Sequence, residues 1–300
     1  MAEKILFHFD TEKNYLPVND FIITATSLQK VSNELVHKCF TNAQYELSVC
    51  AAEDGSFKDW FIGVLMGGIL VGGASDYVGG FIKGVTGKSP TEYGENHGTL
   101  IKDMIVGFYS QSTERLKVPQ EMNLDIAIKA KSDFYTMCSK NTDIKGIGFT
   151  NNNNFIIKRS DFPRYISQDI IREIPDTLVL QELTIYKPVN IPSDNQWSFK
   201  DNKTKQNLNA HIIDEEFKNN FLLGRYPLKS TKNNDVIVAL VRYERQMING
   251  EEKIIGKKID TVFKFNDISI KSIPEKWLFN LPRISISQED DCELDLFSIR

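Results

Sequence analysis

The sequence predicts an α+β chain: an N-terminal β-α-β unit with a glycine-rich helical hairpin and further helices, then a mainly antiparallel β domain forming a small, partly closed barrel. Three observations predict it. Apolar residues recur every three to four positions through much of the first half. Alternating β-formers dominate the second half, where Asn249-Gly250 separates two long strand patterns. Between 60 and 88 the chain holds nine of its 18 glycines and almost no charge.

Lys4–Phe9 reads as a short strand. Pro17–Cys39 reads as an amphipathic helix, with Phe21, Ala25, Leu28, Ser32, Leu35 and Cys39 on one face. Asn19 or Asp20 helps its start. Gln44–Ala52 alternates as a strand and completes the β-α-β unit. If its strands are parallel neighbours, the crossover is right-handed.

The glycine-rich stretch reads as two buried helices, about 58–72 and 75–85, broken at Gly72-Gly73. Gly63/Gly67, Gly68/Gly72 and Gly80/Gly84 have the G-x-x-x-G spacing that lets helices approach closely. These seven glycines are the expected packing, self-association or membrane residues. A membrane span is the weaker reading. The apolar run Trp60–Ser75 is shorter than the about 20 residues a span needs. Extending it buries Asp76, at about 3 kcal/mol.

Gly98–Lys117 and Leu124–Met137 read as helices. Asn141–Asn154 reads as a hairpin near a domain boundary, which gives a mixed domain over 1–157 and a β-rich domain over 170–300. In the second domain Leu178–Tyr186, Gln196–Lys200, Leu208–Ile213, Val236–Arg245 and Lys253–Phe265 are strands. Asp214 caps a short helix over Asp214–Leu223. Ile268–Ile273 and Ile284–Ser287 add short strands.

The net charge of −4 and pI near 5.7 argue against a general nucleic-acid binder, which carries excess Lys and Arg. Nucleic acid is therefore not the expected partner, although a local basic face is compatible with these totals. Cys39, Cys50, Cys138 and Cys292 lack paired spacing, so no zinc or redox site is expected. MAEKILFHFD has too short an apolar run for a signal peptide, and a cytoplasmic protein is expected. Richness in Lys, Ile and Asn, with Asn at 151–154, suggests a bacterium, phage or mobile element with an AT-rich genome.

Catalytic patterns fail one by one. Gly87, Lys88 and Ser89 match the end of a phosphate-binding loop, but its first glycine is replaced by Ile82. His8 and Asp10 share a strand face without a third metal ligand. Pro175-Asp176, Glu182 and Lys187 resemble a nuclease pattern at the wrong interval. The expectation is therefore a non-enzymatic, self-assembling interaction protein with no cofactor or metal, binding a protein partner or its own copies. A part in phage–host conflict fits the composition. His97, Trp197, Arg242, Tyr243 and Arg245 are the candidate partner contacts, since aromatic and arginine side chains on a small barrel can stack and pair. Two alternatives stand beside it. One is a membrane-perturbing effector using residues 60–87. The other is a metal-dependent nuclease or hydrolase with a dispersed site that includes His97, Asp176 and Glu182.

Overall fold

A computed structural model describes residues 2–11, 15–49, 58–67, 69–71, 76–188, 195–228 and 235–278. Helices and sheets share the chain, as the sequence predicts, and they group into two units. One comprises Met1–Arg172 with Met247–Glu252, the other Glu173–Gln246 with Lys253–Arg300.

In the first unit β1 (Ala2–Thr11) leads to α1 (Val18–Cys39), β2 (Phe40–Thr41), β3 (Gln44–Val49), β4 (Lys58–Met66) and β5 (Ile69–Leu70). Then come α2 (Asp76–Thr86), α3 (Pro90–Tyr93), α4 (His97–Ser110), α5 (Asp125–Lys140), β6 (Ile144–Gly148) and β7 (Ile157–Lys158). The main sheet runs β3-β4-β1-β6-β7 with antiparallel neighbours throughout. β1 and β3 are thus parallel with β4 inserted between them, so the predicted β-α-β unit is a split one. Alternate residues Ile5, Phe7 and Phe9 of β1 enter the core. The Phe7 ring stands edge-on to Tyr109 of α4 at 5.0 Å and to Phe134 of α5 at 5.3 Å, the geometry aromatic quadrupoles favour.

The predicted first helix of the glycine-rich hairpin is corrected by this sheet: Lys58–Met66 is strand β4. Phe61 and Leu65 point into the core while Ile62 and Val64 take the opposite face, a period of two. β-branched side chains suit that surface, and Gly63 would weaken a helix by about 1 kcal/mol. The second expected helix forms as α2. Gly68 and residues 72–75, which include the expected break at Gly72-Gly73, lie outside the described residues.

No glycine ends α4 or α5; the side-chain donors of Lys131 and Arg159 do. Lys131 donates to the carbonyl oxygens of Phe108, at 2.7 Å, and Gln111 at the end of α4. Arg159 donates to the carbonyls of Ser139 at 2.6 Å and Asn141 at 2.6 Å at the end of α5.

After β8 (Ile171–Glu173), at the division between the units, the second unit runs through β9 (Thr177–Lys187), β10 (Trp197–Asp201) and β11 (Asn207–Ile212). Then follow α6 (Glu215–Leu222), β12 (Val236–Ile248), β13 (Glu251–Phe265), β14 (Ile268–Ser269) and α7 (Glu275–Leu278). Five strands close into a barrel in the order β9-β10-β11-β13-β12, with β12 returning to β9. β11 and β13 are parallel, pairing His211 with Lys258 and Ile212 with Ile259. Counted within the barrel the strand order is 1-2-3-5-4-1, with a helix between strands 3 and 4, which is OB-fold connectivity. The Asn249-Gly250 hairpin forms as expected, both residues having positive φ.

The barrel interior is filled by Leu183, Ile185, Trp197, Phe199, Leu208, Ile237, Val241 and Phe265. Phe217 and Phe221 of α6 plug one mouth, Phe221 lying 4.8 Å from Trp197. Asp214 holds that plug. Its carboxylate accepts from Phe217 N at 3.2 Å and Val262 N at 2.9 Å, and pairs with Lys271 at 2.8 Å. Burial alone would raise its pKa, but Lys271 and the two amides outweigh that and hold it below the ordinary aspartate value.

Candidate binding face of the barrel

Along β10 and β11 burial alternates, so every second side chain leaves the barrel. Two rows cross the outer face. Lys200 sits opposite Thr184 of β9 on one side and Asn207 of β11 on the other. Ser198 sits opposite Lys187 and Asn209. Between the rows the β9–β10 register slips: Phe199 pairs with Ile185 and Ser198 with Lys187, leaving Tyr186 as the extra residue of a β-bulge. Tyr186 is 53% exposed.

The loop that follows β10 is fixed by its own side chains. The buried Asp201 accepts from Lys203 N at 2.7 Å and Thr204 N at 3.2 Å through one carboxylate oxygen. Its other oxygen accepts from Gln181 Nε2 at 2.9 Å, and Gln181 in turn accepts from the Tyr243 hydroxyl at 2.9 Å. Burial pushes the Tyr243 phenol above its ordinary pKa. Asn202 bridges outward, donating to Glu182 at 2.6 Å and accepting from Thr184 at 2.6 Å. The loop therefore presents Lys203 and Lys205 from a backbone held on both sides, Lys205 with φ of 61°.

The ion pairs of this unit engage Lys218, Arg242, Lys258 and Lys271. Among the described residues Lys187, Lys200, Lys203 and Lys205 have no carboxylate partner. Glu182 adds one carboxylate beside the Lys200 row, one of its oxygens accepting from Asn202 Nδ2, so the lysines outnumber it four to one among the described residues. The result is a local positive face with amides, hydroxyls and one exposed aromatic ring, on a chain whose total charge is negative.

The contact residues expected from sequence do not converge here. Trp197 is 1% exposed and belongs to the barrel core, so its ring is not presented to a partner. Tyr243 points inward to Gln181. Arg242 pairs with Asp260, and Arg245 donates to the Pro175 carbonyl at 2.7 Å. His97 begins α4 in the other unit, its ring edge-on to Phe40 at 5.5 Å.

The glycines also separate. Gly63 lies beneath Tyr45, whose hydroxyl a Cβ would strike, and Gly67 turns the chain with φ of 70°. Gly80 and Gly84 sit on α2 with open space above them, beside a groove of about 520 Å³ rimmed by Arg115 and Lys117. Gly68, Gly72 and Gly73 lie outside the described residues. A second groove, of about 580 Å³ between α1 and α5, mixes Asp20 and Asp133 with Lys30 and Lys140 and has no net sign. The phosphate-loop likeness resolves into helix punctuation. Gly87 follows α2 with φ of 77°, and Ser89 N donates to Glu92 at 2.6 Å to start α3. Burial pushes the Cys39 thiol up to about 12 and raises Cys138 as well, so neither is a ready nucleophile. Among the described residues no three metal-ligating side chains gather, and no helix is long and apolar enough to cross a membrane.

Compared with protein-family models, curated proteins and solved structures, the chain gives no significant match. Sequence reading passed over Tyr186, Lys200, Lys203 and Lys205 because alternation alone does not reveal a bulge. The polar run DNKTKQN between two strands was the available signal.

Proposed function

We propose that the chain is a non-enzymatic binding protein whose barrel engages its partner through the outer face of β9, β10 and β11. One observation carries this reading: a preorganised face of unpaired lysines, amides and an exposed tyrosine on a closed barrel. Fold alone does not assign function, so the weight rests on this face. Its side chains suit contact more than bond-breaking.

The test is fluorescence anisotropy of the full chain against labelled oligonucleotides, an anionic oligosaccharide and an acidic peptide. Binding of one class should fall at least tenfold in Lys200→Glu/Lys203→Glu, with unchanged circular dichroism. Mass spectrometry should recover the probe intact. Equal binding by the variant, or no binding of any class, removes the barrel face as the site; turnover of the probe removes the non-enzymatic reading.

A further inference from the structure

We infer that the ligand of this face is single-stranded nucleic acid, with Tyr186 stacking on a base and Lys187, Lys200, Lys203 and Lys205 lying along the phosphates. This rests on the barrel-face reading above and names its ligand.

The spacing is what a single strand needs. Side chains two apart on a strand are separated by about 7 Å, and neighbouring strands by about 5 Å. The Lys200 row, the Lys187 row and the adjoining Lys203–Lys205 loop therefore place four charges along a path a few nucleotides long. A duplex presents its bases edge-on inside grooves, whereas a single strand offers each base's π-face. Among the described residues the large aromatic side chain on this face is Tyr186, which the bulge turns outward between the two lysine rows. Asn207 and Asn209 are both exposed, and each offers an amide donor and acceptor to base edges or sugar hydroxyls. An acidic protein segment would pair with the lysines but would leave the tyrosine without its stacking partner.

The anisotropy measurement uses the full chain with oligo-dT and oligo-rU of about 16 nucleotides, the matching duplex and polyglutamate. One single strand or both should bind more tightly than duplex and polyglutamate. Tyr186→Ala should weaken single-strand binding about tenfold, and Tyr186→Phe should restore it. The slope of log K against log salt should be about −3 for four phosphates, and each Lys→Gln change should reduce it by about 0.7. Single-strand binding that ignores Tyr186→Ala, or duplex binding equally well, overturns the inference. If polyglutamate or an oligosaccharide binds instead, and binding is lost in Lys200→Glu/Lys203→Glu, the face stands as a binding site and nucleic acid falls. If no probe binds, both readings fall.

Discussion

Lys131 shows how far a single residue can depart from its sequence appearance. It is 1% exposed, lies 5.2 Å from the Phe108 ring centre, and caps α4 through two carbonyls. Burial pulls its pKa down from 10.5 to about 7. The folded form thus holds its proton less tightly than the unfolded chain. The penalty is full below about pH 7 and is relieved as pH rises toward 10.5, so this group makes stability increase with pH across that window. Between pH 7 and 9 wild type should gain on the order of 2 kcal/mol relative to Lys131→Met. Urea denaturation of both proteins at the two pH values measures this, and parallel pH profiles would refute it. In the sequence Lys131 sits one position from Ala130 and three from Phe134 on a helix correctly expected, yet nothing marks it as buried. The carbonyls it satisfies belong to another helix, and local spacing carries no information about them.

Elements were legible where their signal was local. Asn249-Gly250 marks its hairpin because both residues accept positive φ. Asp214 marks its helix because its side chain caps the first turn. α1 and α5 follow from the three-four spacing of their apolar residues. Signals that depend on a distant partner were not legible. The parallel β11–β13 pairing that closes the barrel joins segments about 50 residues apart, and the Tyr186 bulge exists only in register with β10. The glycines make the point testable. Sequence spacing singles out Gly80 and Gly84, but both face open space. The close helix contact is at Gly107 of α4, where a Cβ would run into the Val85 carbonyl of α2. Gly107→Ala should therefore destabilise by about 1–3 kcal/mol through overpacking against backbone. Gly80→Ala should stabilise by up to about 1 kcal/mol through helix propensity. Thermal unfolding of the two variants should move the melting temperature in opposite directions, and a shared direction would sink this account.

At the scale of the whole molecule, net charge and local charge point different ways. The chain totals −4, and this argued from sequence against polyanion binding. Five carboxylates, at Glu289, Asp290, Asp291, Glu293 and Asp295, are concentrated in one stretch outside the described residues. That stretch follows α7, whose Trp277 packs beside Leu180, Leu240 and Phe263 of the barrel unit. We expect these charges to weigh against polyanion binding to the chain as long as salt leaves the Debye length near or above 10 Å. Changing the five to Gln or Asn takes the total from −4 to +1. Single-strand affinity should then rise severalfold at about 50 mM salt, and the gain should vanish by about 0.5 M, where screening is short. Lys200→Glu/Lys203→Glu in the same background should abolish the gain, because repulsion by the tail matters only if the ligand approaches that face. Affinity that is indifferent to the five substitutions at low salt would mean that the tail and the face do not share an electrostatic neighbourhood.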